Sequence, residues 1–337
     1  MNFAQERYHK NILDYLYMFS VDIHIMYILG YDVGGTKIST VIGNEKGEII
    51  GKLVRRTVKE YGKSGITQQL ISMGEDLIEK KNIDKVSKIG IIFAGPVDSE
   101  NGKIISSPNI IGLKNYNITE ELKNHFKVPV YLQNDAIAST IAEKLYGSGK
   151  NYTNFVYMTL STGIGGGIFI NNRLYKGSHG MAGEFGHMVI LPNGPVCGCG
   201  RRGCLEALAS GRGITRRVVE NISAIKNSTI FSDMNPADID AKEIFAAKAS
   251  GDMFAQLIVE ETIYYLAVGL VNIINALDPD AIIIGGGISR EGDNLFKPLR
   301  LAVKEEMKSM KRPIKIIKAL ENGADLGCIA ITEYKED

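Results

Sequence analysis

Three of the chain's four cysteines fall within eight residues, Cys197-Gly198-Cys199-Gly200-Arg201-Arg202-Gly203-Cys204, with Glu206 two residues on and His187 ten residues before. Thiolates and a neutral imidazole are strong zinc ligands, and four of them close a tetrahedron. His187, Cys197, Cys199 and Cys204 are therefore predicted to form a structural Cys₃His site, with the intervening glycines letting the backbone turn tightly around the ion. An ion of this kind supplies rigidity; the chemistry must come from what the segment carries. Glu184 and Glu206 flank it, and fixed carboxylates suit a polyhydroxylated ligand because each hydroxyl is a donor. His187 can serve twice, with one ring nitrogen on the metal and the other on a ligand oxygen.

Three glycine-rich stretches could hold a nucleotide. Asp32-Val33-Gly34-Gly35-Thr36-Lys37 sets backbone N–H groups, a hydroxyl and an ammonium around one turn, an arrangement suited to phosphate oxygens, and Asp32 could hold a hydrated Mg²⁺. A plain glycine-rich hairpin turn would read the same way. Ser161-Thr162-Gly163-Ile164-Gly165-Gly166-Gly167 is a second phosphate-type loop, although glycine runs also mark close backbone approach. Gly285-Gly286-Gly287 follows an apolar strand and suits a flat base lying on the backbone. Asn134-Asp135 stands where a strand gives way to a helix, as a helix N-cap or as a general base at the strand's carboxyl end. Two competing nucleotide signatures are absent: there is no GxxxxGK[ST], and no GxGxxG opens a helix after the first strand.

Strands are predicted at 27–32, 38–43, 49–58, 88–93, 130–132, 155–160, 168–170 and 281–284, and helices at about 66–81, 137–145 and 241–277. The glycine-rich loops sit at carboxyl ends of strands, where ligands bind in α/β proteins. Strand, glycine-rich turn and returning strand occur near residue 34 and again near residue 164, the pattern of two duplicated halves facing a shared cleft. A chain of 337 residues accommodates two domains. Lys plus Arg is 39 against 38 for Asp plus Glu, a net charge of +1 that gives no electrostatic reason to expect nucleic acid or a membrane surface as partner. Clustered cysteines with CxC spacing fit a reducing cytoplasm better than a secreted disulfide framework. No segment reads as a membrane helix or a signal peptide. Residues 1–25 carry no motif and are expected to be a peripheral extension, with Met26 as an alternative start.

Taken together, Asp32 to Lys37, Asn134-Asp135, Ser161 to Gly167, the ExGH at Glu184 to His187 and the CxCGxxGCxE at Cys197 to Glu206 resemble the ROK family (repressor, open reading frame, kinase) of the actin-like sugar-kinase superfamily, from about Met26 to the C-terminus. The resemblance implies a two-domain α/β, RNase H-like fold with a cleft, a zinc loop at 187–206, and transfer of the ATP γ-phosphate to the C6 hydroxyl of a hexose. The expected division is a small domain over 26–135 completed by a C-terminal helix at about 324–337, and a larger domain over 136–323. Asp135 is then the expected catalytic base. Asn109, Asn134, Glu184, His187 and Glu206 are the expected sugar contacts, and Gly95 the backbone lining their pocket. Asp32, Gly34, Gly35, Thr36, Lys37, Thr162, Gly163 and Gly165 would hold Mg²⁺ and the phosphates, and Gly285, Gly286 and Gly287 the adenosine. Glucose is the first expectation for the acceptor. N-acetylmannosamine or N-acetylglucosamine is the alternative, because the run from Gly194 through Ile214 also looks like N-acetylmannosamine kinases. Polyphosphate stays open as donor, and a homodimer is implied. The family's repressors carry a helix-turn-helix ahead of the kinase-like body; about 25 residues precede the first strand here, so a sugar-sensing role without catalysis is the lesser reading.

Overall fold

The computed structural model describes residues 26–107, 110, 112–222, 229–310 and 312–335; the extension expected over 1–25 and the candidate Asn109 lie outside the described residues. Strands β1 (Tyr27–Val33), β2 (Lys37–Asn44) and β3 (Ile49–Arg56) form an antiparallel meander, followed by α1 (Gly62–Lys80) and by β4 (Lys88–Phe93), which returns parallel to β1. Three short strands, β5 (Val97–Asp98), β6 (Lys103–Ser106) and β7 (Lys114–Tyr116), make a small separate sheet. Then come α2 (Ile118–Phe126), β8 (Val130–Asn134), parallel to β4, and α3 (Asp135–Leu145). The scheme repeats with β9 (Phe155–Leu160), β10 (Ile164–Ile170) and β11 (Arg173–Leu174), antiparallel as before. After α4 (Leu205–Ala209), α5 (Gly211–Asn221), α6 (Ala241–Ala249) and α7 (Met253–Leu277), β12 (Ala281–Gly285) returns parallel to β9. The chain closes with α8 (Asp293–Glu306), β13 (Lys315–Lys318), parallel to β12, and α9 (Gly323–Glu333).

The two large sheets share one topology: β3-β2-β1-β4-β8 and β11-β10-β9-β12-β13. Side-chain alternation along the strands builds the layers. Leu29, Tyr31, Ile89 and Ile91 face α1 and α2, whereas Ile28 and Ile92 face the opposite way. In the second sheet Val156, Met158, Ile282 and Ile284 face the α4–α8 layer, whereas Phe155, Tyr157 and Ile283 face inward. The two inward faces enclose α3 and α9 in one core with Ala138, Ala142, Leu326, Ile329 and Ala330. Each fully buried aliphatic side chain there contributes about 1.5–3 kcal/mol, so this shared layer binds the halves together. Cys328 is buried within it, as its apolar helix leads one to expect.

Three elements depart from the sequence reading. The pattern over 241–277 is two helices: Gly251 adopts φ +90, and Asp252 caps α7 by accepting the Ala255 N–H at 2.9 Å. Asp252 also accepts from Thr229 Oγ1 and the Ile230 N–H, which fixes the corner. α7 is long and apolar enough to cross a membrane by length and composition, contrary to expectation; much of it is buried among the side chains of the second core. Finally, β10 begins at Ile164, four residues before the strand expected at 168.

α9 lies directly on the paired backbones of β1 and β4 at Gly30 and Gly90. A Cβ on Gly90 would overlap the Cys328 carbonyl oxygen, which belongs to a helix that cannot yield locally. Gly90→Ala is expected to lower stability by about 2–3 kcal/mol, at the upper end of overpacking costs, read as a fall in the denaturant midpoint. An unchanged midpoint would show that α9 does not sit on this pair.

Candidate active site

Asp32 lies near the carboxyl end of β1, and Lys37 opens β2. The turn between them is tied on both sides. The Gly34 N–H donates to Lys37 O at 3.1 Å, Thr57 Oγ1 donates to Gly34 O at 2.7 Å, and the Thr57 N–H donates to Thr36 O at 3.0 Å. Burial raises the Asp32 carboxyl from 3.8 to about 6, with the charges of Asp135 and Asp325 adding and Lys37 and Lys52 opposing. Asp325, on the first turn of α9, accepts from Ser39 Oγ at 3.2 Å and from Lys52 Nζ at 2.5 Å. Nothing in the sequence singles out Asp325, since its partners lie more than 270 residues away.

Asn134 and Asp135 form the β8–α3 junction. Asn134 Oδ1 caps the helix by accepting the Ala136 N–H at 2.9 Å and the Ile137 N–H at 3.4 Å, while its Nδ2 donates to Gly95 O at 3.2 Å. One side chain therefore joins Gly95 at the end of β4 to the start of α3. Burial pushes the Asp135 carboxyl up, its hydrogen bonds to Ala136 and Asn134 oppose this, and the charge of Glu184 adds to it. The charge of Asp135 thus acts on Asp32, and that of Glu184, from the second half of the chain, acts on Asp135.

Glu184 precedes a single helical turn, Phe185–His187. The ligand atoms of His187, Cys197, Cys199 and Cys204 all lie within 4.8 Å of one another. His187 Nδ1 is 3.6 Å from Cys197 Sγ, and Cys199 Sγ is 3.7 Å from Cys204 Sγ. Metal–sulfur bonds of about 2.3 Å and metal–nitrogen bonds of about 2.0–2.1 Å give tetrahedral edges of about 3.6 Å for N–S and about 3.8 Å for S–S. The four groups fit a tetrahedral zinc. His187 Nε2 points away, 3.8 Å from Glu184 Oε2, so the ring's second nitrogen remains beside a carboxylate. Arg201 braces the loop, donating from Nη2 to His187 O at 2.6 Å.

Glu206 lies two residues beyond Cys204, the N-cap residue of α4, within that helix's first turn. Its Oε2 accepts the Ile164 N–H at 3.0 Å, so the metal loop reaches the β9–β10 hairpin directly. Only Ser161, Thr162 and Gly163 form that hairpin's turn. Gly165 lies within β10 against the Ala136 side chain, Gly166 lies beneath Phe185, and Gly167 against Thr140. These three glycines are explained by close packing inside a strand, so the expected phosphate loop shortens to its first three residues. Gly285 ends β12 in register with Thr159 of β9. Gly286 has φ +86, and a Cβ there would overlap Leu160 O, so this turn requires glycine. Ser289 Oγ donates to Gly286 O at 2.8 Å, and Gly287 is exposed beside Ser161. The turn therefore lies next to the β9–β10 hairpin, as a common nucleotide site requires.

The model of the ROK family matches residues 28–331. A glucokinase of Thermotoga maritima is 38% identical over 274 residues, covering 81% of this chain and 86% of the relative. An N-acetylmannosamine kinase of Haemophilus influenzae is 35% identical over 263 residues, covering 78% and 81%. Among solved structures, a ROK family glucokinase from Streptomyces griseus in complex with glucose and AMPPNP superposes with a TM-score of 0.75 at 29% identity, covering 90% of this chain and 97% of that one.

The Asp32 environment makes a pH-dependent prediction. Its folded-state value exceeds the ordinary 3.8, so the folded protein holds this proton more tightly than the unfolded chain. The carboxyl's contribution is therefore most favourable below pH 4 and is lost as pH rises through about 6. Asp32→Asn removes the penalty of ionisation. In the absence of cations it is expected to stabilise the protein at pH 7 by about 1–2 kcal/mol after solvent screening, with no gain at pH 4. Urea titrations at the two pH values measure this, and a destabilised variant at pH 7 would refute the environment described.

Proposed function

The chain belongs to the ROK family and is a sugar kinase, and from that premise we propose that it transfers the γ-phosphate of ATP to the C6 hydroxyl of glucose. The observation carrying this reading is that Asp32 near the end of β1 and Asp135 directly after β8 both stand at carboxyl ends of strands, with the charge of Glu184 acting on Asp135. Asp135 is the proposed base. Burial raises its proton affinity above that of an ordinary carboxylate, while the Ala136 N–H holds its Oδ1 at 2.9 Å. It accepts the C6 proton as the hydroxyl oxygen attacks the γ-phosphorus, the P–O bond to ADP breaks, and ADP leaves.

Asn134, Glu184, His187 and Glu206 are proposed to hold the sugar hydroxyls, with Gly95 lining their pocket and Asn109 completing the set. Gly34, Gly35, Thr36 and Lys37 on one side, with Thr162 and Gly163 on the other, are proposed to hold the phosphates. Gly285 to Gly287 would take the adenosine, and Gly165 supports the hairpin from within β10. Asp32 is the group that would hold Mg²⁺, which when bound neutralises phosphate charge and orients the phosphoryl group for in-line transfer. A zinc held by the four-residue cluster would be structural and stays outside the reaction. We place the domain division at Asp135, with α9 completing the first unit.

Glucose leads because the Thermotoga maritima relative is a glucokinase and is 38% identical. N-acetylmannosamine is the second reading, supported by the 35% identical kinase of that name. The two acceptors differ at C2, so turnover across glucose, mannose, fructose, N-acetylglucosamine and N-acetylmannosamine decides between them; preference for an acetamido sugar would overturn the glucose assignment. With the preferred sugar, Asp135→Asn is expected to lower kcat by about 10²–10⁴-fold with little change in sugar KM, because it keeps size and removes the base. Near-normal kcat in this variant would remove Asp135 from the mechanism.

A further inference from the structure

The metal loop is expected to serve the sugar side of the cleft, yet its hydrogen bonds lead to the β9–β10 hairpin. The turn Ser161–Gly163 is held at every exposed end by the segment that follows the cysteines. The carbonyl of Ser161 accepts the Gly211 N–H at 2.8 Å, and the carbonyl of Thr162 accepts the Arg212 N–H at 3.3 Å. The Ile164 N–H donates to Glu206 Oε2 at 3.0 Å. These three groups lie on α4 and the first turn of α5. α4 begins at Cys204, itself a member of the metal cluster, and Leu205 N–H donates to Met188 O next to His187. α5 is anchored to the core in turn, as Arg217 donates to Glu261 Oε2 at 2.7 Å and to Ile258 O at 3.1 Å on α7.

Packing reinforces the link. A Cβ on Gly163 would press on Glu206 Oε2, and one on Gly186, inside the ExGH segment, would overlap Ile164 O. Gly166 has no room for a side chain beneath Phe185. The metal segment and the hairpin are therefore in backbone contact at several points, and neither can shift without the other. A hairpin turn free of such ties would have to be ordered by each incoming nucleotide at an entropic cost.

We infer that Glu206 is a positioning residue for the phosphate hairpin, and that metal bound at His187, Cys197, Cys199 and Cys204 raises affinity for the nucleotide through it. The inference rests on the kinase reading above. Glu206 divides its two oxygens between the two sides it joins: Oε2 accepts the Ile164 N–H at 3.0 Å, and Oε1 faces Cys197 Sγ of the metal cluster at 3.9 Å.

The test measures the affinity of Mg-ADP for the zinc-loaded protein by calorimetry without sugar, so that loss of sugar contacts has no bearing on the result. Glu206→Ala is expected to retain its zinc and to bind Mg-ADP about five- to tenfold more weakly, the loss of one part-buried hydrogen bond. Glu206→Gln keeps an oxygen able to accept from Ile164, so it should bind Mg-ADP within about twofold of the parent while binding sugar more weakly. Parent protein stripped of zinc, then freed of chelator, should show the same weakening toward Mg-ADP as Glu206→Ala. Parent-like affinity in Glu206→Ala, or in folded zinc-free protein, overturns the inference while leaving the kinase reading intact. A zinc-loaded parent that binds no Mg-ADP overturns both.

Discussion

Three thiol sulfurs and one imidazole nitrogen within 4.8 Å of one another would, with a cation bound, form the constraint on which the wall of the cleft depends. Without a cation, burial holds Cys197 and Cys204 as thiols, whereas the N–H donors of Arg201 lower Cys199 toward the thiolate. A divalent ion removes this mismatch by taking all three as thiolates. The segment around it is short, glycine-rich and poor in apolar side chains; its own core is limited to Cys197, Cys204 and Ala207. A loop of that composition has little hydrophobic burial to hold it in place. Ligation of a cation by these four residues would supply the order instead, with Glu184 on one side of the cluster and Glu206 on the other.

The rest of the site comes from duplication. Two sheets of identical strand order present matching turns, Gly34–Thr36 after β1 and Ser161–Gly163 after β9. The layer of α3 and α9 is packed between the two sheets that carry these turns. α3 carries Asp135 at its first residue and packs through Ala136 and Thr140 against Gly165 and Gly167 of the opposite sheet. The proposed base and one phosphate hairpin are therefore positioned by the same helix. Glu143 secures that helix at its other end, with its carboxylate accepting the Leu320 N–H at 2.6 Å and the Ser148 N–H at 3.0 Å. Both oxygens of this buried carboxylate are satisfied by backbone, which ties α3 to the segment leading into α9.

Much of this was legible in the sequence because it is local. The cysteine spacing, the Asn-Asp junction and glycines at strand ends each express a short-range requirement of the backbone or of a ligand set. The echo between residues 34 and 164 proved to be a whole repeated sheet topology. What was hidden depends on contacts distant in sequence. The glycines at 165–167 read as a loop, and only the approach of α3 and Phe185 explains them as strand. Asp325 meets Ser39 and Lys52 across most of the chain length. The division of 241–277 did carry a local signal, Gly251-Asp252, which the continuous apolar periodicity on either side masked. Ser210-Gly211-Arg212-Gly213 likewise held a signal for α5: Ser210 is its N-cap and accepts the Gly213 N–H at 3.1 Å.

A tetrahedral metal at His187, Cys197, Cys199 and Cys204 would fix the wall of the cleft. X-ray absorption at the zinc edge on purified protein tests it most directly. The expected result is one zinc per chain with three sulfur neighbours at about 2.3 Å and one nitrogen at about 2.0–2.1 Å. A spectrum without a sulfur shell, or metal-free protein that phosphorylates hexose as fast as the loaded form, would contradict it.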